Sequence, residues 1–373
     1  MSEREEQLER YSLEDLPAGW DAWVASSPEG SPFATTTFLR AFAGALGAVA
    51  EVWILRKGDN RLAALPLLHR KRFGRKSNQG IPLVPYIPVI FGPAVLASTY
   101  SSGNFSHYLS IVRRFLEPLA REYGSVNLRL MPGALDARPW LWAGWSARPD
   151  YTYIIQLTAE PRFARASRRS IRKAQEAGVT LDLAWDLETH CRLLRGTTER
   201  QGIWIGMPHD AFCQAANALA EAGLALMATA RDAAGEPMAS RIELGIPGTA
   251  TVYDWTAGTN PRNLSLGASA WLMAQIFDRC AARGWSQWDL CGASYENIAK
   301  YKSEFGGDLR ATFSLASPRT LPEAFREEGL RFASRALRAC GWRRRGSAGE
   351  LSSPGPLSPL GSCSLKSPQS DAP

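Results

Sequence analysis

Apolar and polar residues alternate on either side of two short turns. Ala50–Arg56 and Arg61–Leu67 flank Lys57-Gly58-Asp59-Asn60, and Leu224–Ala230 and Glu236–Leu244 flank Arg231–Gly235. Runs of period two around a glycine-bearing turn predict two β-hairpins. Around each hairpin the apolar spacing becomes helical. Phe38–Leu46 and Ala211–Ala222 precede the hairpins as short amphipathic helices. Phe105–Tyr123 and Gly267–Arg283 follow as longer ones, each closed by a glycine (Gly124, Gly284) and an apolar strand (Val126–Leu130, Trp285–Leu290). Helix, hairpin, helix and strand thus occur twice, which predicts two copies of one α/β unit. Tyr151–Leu157 reads as the strand that opens the second copy. The expected boundary is therefore Arg148-Pro149-Asp150, with halves at 1–149 and 150–320. Residues 321–344 read as a basic amphipathic helix, and the Ser/Pro/Gly-rich stretch 345–373 as a disordered tail.

Length and composition agree with this division. A chain of 373 residues exceeds what one core needs, and 45% hydrophobic with 21% charged residues is ordinary globular usage. The net charge of +7 suits an anionic partner such as tRNA, a nucleotide or an acidic membrane surface, although much of the excess lies near the C-terminus. The charged start Met-Ser-Glu-Arg-Glu-Glu-Gln has no apolar core and does not read as a signal peptide. Pro82, Pro85, Pro88 and Pro93 break the most apolar run, Ile81–Ala97, which argues against a membrane helix. The expected location is the cytoplasm, with peripheral contact at the inner face of the membrane. The six cysteines form no C-x-x-C pair, and His69, His107, His190 and His209 show no ligand spacing. Neither disulfide nor metal is expected from spacing. Without a Gly-x-Ser-x-Gly elbow, Walker loop or dinucleotide fingerprint, hydrolase, kinase and dehydrogenase readings lack support.

Several side chains carry candidate chemistry. Helical spacing puts Arg165, Arg168, Arg169 and Arg172 on one face, with Lys173 beside them. Such a face either holds phosphates or is simply solvated. The helix from Gly267 offers free N–H groups to an anion, and its small residues suit close packing equally well. Tyr253 and Trp255 lie in a strand-like run, as channel lining or as core. Asp289, at a strand end, either orients an attacking amine or caps the following loop. Lys302, between Tyr301 and Phe305-Gly306-Gly307, reads as a fixed cation for a developing negative charge or as a surface lysine at a turn.

The run Trp288-Asp289-Leu290-Cys291-Gly292, followed by Tyr301-Lys302-Ser303-Glu304-Phe305-Gly306, resembles the end of the second acyltransferase domain in the Fem-like (FemAB) family. Arg168–Val179 resembles that family's basic helix ending in Gly-Val, and Ser31-Pro32-Phe33 with Phe38-Leu39-Arg40 resembles its N-terminal entry. The likeness spans about residues 15 to 320. Tyr301 stands where the family usually has Phe. The resemblance implies an α/β fold of tandem acetyltransferase-like (GNAT) domains with mixed, mostly antiparallel sheets. It implies an acyltransferase that forms an amide by moving an aminoacyl group from aminoacyl-tRNA to an amine. That acceptor is a cell-envelope precursor, such as one of peptidoglycan, or another small-molecule or lipid-linked amine. No cofactor is expected to bind tightly. Lys302 and Asp289 are then the catalytic candidates, and Tyr301, Phe305, Tyr253, Trp255, Arg168, Arg169, Arg172 and Lys173 the substrate-binding ones. Gly267 and Ala268 mark where coenzyme A would sit. That turn departs from the family of acetyltransferases in having one glycine, which leans against coenzyme A. Acyl-CoA-dependent N-acylation in exopolysaccharide or natural-product synthesis is the alternative, and a non-catalytic polysaccharide- or lipid-binding module is a third reading.

Overall fold

Local signals start and stop the elements. The Thr35 hydroxyl accepts the Phe38 N–H at 3.3 Å and Gly47 closes the same helix in a left-handed conformation, so residues 36–46 form one amphipathic unit that buries Phe38, Leu39 and Phe42. The computed structural model describes residues 5–318, apart from 73, 80, 93–94, 96–101, 135 and 203–204. The expected basic helix and tail at 321–373 lie outside the described residues.

The first half runs through β1 (Glu6–Ser12), α1 (Trp20–Ser26), α2 (Thr36–Leu46), β2 (Val49–Lys57), β3 (Asn60–Arg72), β4 (Arg75–Ser77) and β5 (Ile90–Phe91). It continues with α3 (Ser102–Glu122), β6 (Tyr123–Ser125), β7 (Asn127–Arg129) and α4 (Arg138–Trp142). The second half contains β8 (Ser146–Gln156), α5 (Arg165–Glu176), β9 (Thr180–Asp182), α6 (Leu187–Gln201), α7 (His209–Glu221), β10 (Ala225–Arg231) and β11 (Pro237–Gly245). It ends with β12 (Thr251–Thr259), α8 (Ala268–Ala282), β13 (Gln287–Asp289), α9 (Glu296–Ser303) and β14 (Asp308–Ala316).

Two sheets result. The first has the order β1-β2-β3-β4-β6, with β5 also on β3, and the second β7-β14-β8-β13-β12-β11-β10-β9. Both predicted hairpins are present, as β2/β3 and β10/β11. Each half repeats an antiparallel hairpin, a third strand, a helix and a final strand parallel to the third: β4 with β6, and β12 with β13. This is an α/β fold of tandem acetyltransferase-like units with mixed sheets. The expected junction Arg148–Asp150 falls inside β8, and β7 already pairs with β14 in the second sheet. The chain therefore enters the second sheet before the expected junction.

One apolar core joins the halves. It takes Phe33, Phe38, Phe42 and Tyr86 from the first and Phe212, Ile242, Tyr253 and Trp255 from the second. Tyr86 reaches Asp289 and the Trp255 indole donates to the Leu83 carbonyl, so the proline-rich run around residues 81–90 is seated against β12 and β13. Among the described residues no helix is long and apolar enough to cross a membrane.

Candidate active site

The site grows from a fork. The parallel pairing of β12 with β13 lasts three residues, Thr251 to Tyr253 against Gln287 to Asp289, after which β12 runs on to Thr259 and β13 ends. A turn at Leu290–Gly292 closes β13, with Cys291 at φ 51° and Gly292 at φ 94°. Left-handed backbone at a non-glycine residue costs energy and needs support. The support comes from two side chains. Asp289 Oδ1 accepts the Cys291 N–H at 2.8 Å and the Thr152 hydroxyl at 2.6 Å, while Oδ2 accepts the Tyr86 hydroxyl at 2.8 Å. Lys302, on the last turn of α9, donates to the carbonyls of Leu290, Cys291 and Gly292.

These contacts revise two sequence expectations. An ammonium has three donors, and the turn carbonyls engage those of Lys302. Lys302 is a positioned cation that clasps the turn, not a free donor aimed at substrate. Both oxygens of the buried Asp289 are likewise occupied, so it orients the turn and ties the halves together. Burial raises the Asp289 pKa, opposed by its three hydrogen bonds and by Lys302. Burial also pulls the Lys302 pKa down, opposed chiefly by Asp254.

Beneath the fork lies a buried ionic group that sequence reasoning missed. Arg241 Nη1 donates to both Asp254 oxygens at 2.7 Å, and the Trp288 indole donates to Glu243 Oε2 at 2.8 Å. Glu243 stands directly opposite Asp254 in the β11/β12 register. Burial, and then the Asp254 charge, raise the Glu243 pKa well above its ordinary value. Burial opposes the Arg241 charge, but Asp254 outweighs it and holds the guanidinium protonated. The available signal was the pair of charges two residues apart in Met238-Ala-Ser-Arg-Ile-Glu-Leu244, a strand whose nine residues are all buried. Charges at alternate positions of a central strand face inward together.

The other candidates divide between rim and core. Tyr301 is half-buried and its hydroxyl lies 2.8 Å from Ser269 Oγ on α8, beside the fork. Phe305 is fully buried, packed on Phe163 and Tyr301 with ring centroids 5.8 and 5.0 Å away. It is core, not a substrate contact. Tyr253 and Trp255 also belong to the core: Tyr253 meets Phe33 edge-on and Trp255 stacks on Phe212 at 5.4 Å. Gly267, in a left-handed conformation, lies so close to α5 that an added Cβ would sit 2.3 Å from the Ser170 carbonyl oxygen. Ala268 is fully buried. The geometry at both positions is that of tight helix packing.

That packing fixes α5 beside the site. Ser167 donates to Glu304 Oε2 at 2.8 Å and the Ala164 N–H donates to the Glu304 carbonyl at 2.7 Å, while Gly306 lets Arg162 approach closely. Ser167 and Ala174 are the buried positions of α5. The opposite face exposes Arg165, Arg168, Arg169, Arg172 and Lys173, and among the described residues none of the five has an ion-pair partner. A further group, Cys191, His209 and Cys213, comes together between α6 and α7 away from any spacing rule.

Comparison with known proteins places this arrangement. Residues 161–303 match the family described as acetyltransferase (GNAT) domain. No curated protein matches the chain. The crystal structure of FemX is similar over 82% of this chain and 96% of its own, with a TM-score of 0.61 at 11% identity. A conserved protein of unknown function from Bacteroides thetaiotaomicron gives 0.53 at 11% identity over 83% and 99% of the two chains. L-PGS from Bacillus licheniformis gives 0.51 at 12% over 82% and 94%. Residues 161–303 thus carry an acetyltransferase (GNAT) domain, and the fold around it is that of these solved structures. The FemX-like tandem architecture extends the match beyond the GNAT segment to most of the chain.

Proposed function

We propose that the protein forms an amide by moving an activated acyl group to an amine, with aminoacyl-tRNA as the favoured donor. The observation that carries this reading is the row of five exposed, unpaired cations on α5, fastened to the start of α8 and to Glu304 next to the fork. A polyanionic donor lying along that row would bring its ester end to Tyr301 and the Leu290–Gly292 turn. The amine nitrogen attacks the ester carbonyl, the tetrahedral oxyanion forms, and the C–O bond breaks as the amine proton passes to the leaving hydroxyl. An activated ester needs no covalent enzyme intermediate, so alignment and electrostatic stabilisation suffice. Lys302 acts through the Leu290–Gly292 turn it clasps, as a fixed positive charge behind that backbone, and the Tyr301 hydroxyl beside Ser269 is the side-chain donor for the oxyanion, over a floor whose charges Arg241 and Asp254 balance. The acceptor is a cell-envelope precursor or another small or lipid-linked amine.

Acyl-CoA is the competing donor, favoured by the acetyltransferase match at residues 161–303. The single glycine at the start of α8, pressed against Ser170, weighs the other way, because it provides no glycine-rich phosphate turn there. Transfer from charged tRNA pools and from acyl-CoA mixtures to an amine panel tests the reading. Transfer from tRNA, with a salt slope reduced by about 2–3 when Arg169, Arg172 and Lys173 become Ala, is the expected result. Transfer from acyl-CoA alone overturns the donor. Transfer from neither, with polysaccharide or lipid binding retained, overturns the enzyme reading in favour of a binding module.

A further inference from the structure

Cysteines 22 residues apart in sequence meet between α6 and α7. Cys191 Sγ and Cys213 Sγ are 3.7 Å apart, and Cys213 Sγ is 3.7 Å from His209 Nε2. The three ligand atoms all lie within 4.8 Å of one another. His209 and Cys213 are one helical turn apart on α7 and so share a face, while Cys191 comes from the neighbouring helix. Tetrahedral zinc holds sulfur at about 2.3 Å and imidazole nitrogen at about 2.0–2.1 Å, which puts two thiolates about 3.8 Å apart and a thiolate and imidazole about 3.6 Å apart. The Cys191–Cys213 and Cys213–His209 separations match those edges, and the third edge lies within 4.8 Å, so a small shift of the exposed His209 ring completes the triangle.

We propose that Cys191, His209 and Cys213 form a site for a thiophilic transition-metal ion of the zinc class. Two sulfurs and one imidazole make a soft donor set, and no carboxylate in the cluster offers the oxygen ligands that calcium or magnesium requires. Cys191 is buried, Cys213 is half-buried and His209 is exposed, so the ion enters from solvent on the His209 side and keeps its fourth position there. Binding displaces both thiol protons to solvent and forms two metal–sulfur bonds and one metal–nitrogen bond, with no change of oxidation state. The ion would pin α7 to α6. Phe212, beside Cys213, stacks on His190 and on Trp255, whose indole is bonded to Leu83 of the first half. Pinning α7 therefore fixes one wall of the junction between the halves, separately from the fork.

The test uses the full chain, reduced and stripped of metal, with Cys340→Ser and Cys363→Ser in every arm, which leaves Cys280 and Cys291 as the thiols outside the cluster. Zn2+ is titrated by equilibrium dialysis, and Co2+ is followed by its thiolate-to-metal charge-transfer absorption. The expected result is one ion per chain, a cobalt spectrum with thiolate character, and a higher melting temperature with Zn2+. Cys213→Ser and His209→Gln, both at accessible positions, should fold normally by circular dichroism. Each should lose affinity by more than the roughly 10–100-fold that removing a ligand's hydrogen-bond partner costs. No stoichiometric binding, or binding that survives both substitutions, overturns the proposal. Loss of two thiols to a Cys191–Cys213 disulfide, with no metal taken up under reducing conditions, overturns it in favour of a redox pair.

Discussion

Replacing Lys302 with Met tests whether the fork is built as described. The substitution keeps the length of the side chain and removes the ammonium that donates to Leu290, Cys291 and Gly292. A hydrogen bond to a charged group contributes about 1.5–3 kcal/mol, and a buried acceptor left unpaired costs about 1–3 kcal/mol. The Gly292 contact is solvent-exposed, so water takes it over, and the Cys291 contact at 3.4 Å is weak. The carbonyl of Leu290, a fully buried residue, bears the loss. Against it, Met relieves the desolvation that pulls the Lys302 pKa down. The net expectation is about 2 kcal/mol, roughly 30-fold in the folding equilibrium. Urea titration followed by tryptophan fluorescence reads it. Turnover of the folded fraction should fall about 100-fold or more, as when one oxyanion-stabilising group is lost. A folded variant with an unchanged midpoint refutes the clasp. A lowered midpoint with full turnover assigns Lys302 to the turn alone.

Two further perturbations probe the frame. Gly267→Ala combines a left-handed residue, at about 1–2 kcal/mol, with a Cβ 2.3 Å from the Ser170 oxygen, so α5 must shift away from α8. A melting temperature equal to that of the parent would contradict that packing. Glu29→Gln addresses pH: burial pushes the Glu29 carboxyl from 4.5 up to about 7. The folded state holds that proton where the unfolded chain has lost it, so the Glu29 contribution to stability is fully present below about pH 4.5 and is lost as pH rises through about 7. Glu29→Gln should flatten this window, by on the order of 3 kcal/mol, in denaturation curves at pH 4 and pH 8. Parallel pH profiles for the two proteins would refute the shift.

Sequence periodicity alone located the hairpins at β2/β3 and β10/β11, the long helices and the glycine stop at Gly284, because those signals depend on residues within a few positions of one another, whereas the expected stop Gly124 lies inside β6. The basic face of α5 was legible for the same reason. Side-chain roles were not legible. Phe305, Tyr253 and Trp255 carry the same aromatic chemistry in a channel as in a core, and only burial against Phe163, Phe33 and Phe212 decides. Lys302 became a turn clasp only because β13 ends where α9 returns. The Tyr86–Asp289 bond joins residues 203 positions apart, and Cys191 meets Cys213 through the packing of two helices. Contacts of that kind are set by which sheet a strand joins and which face a helix buries, and no local pattern records either.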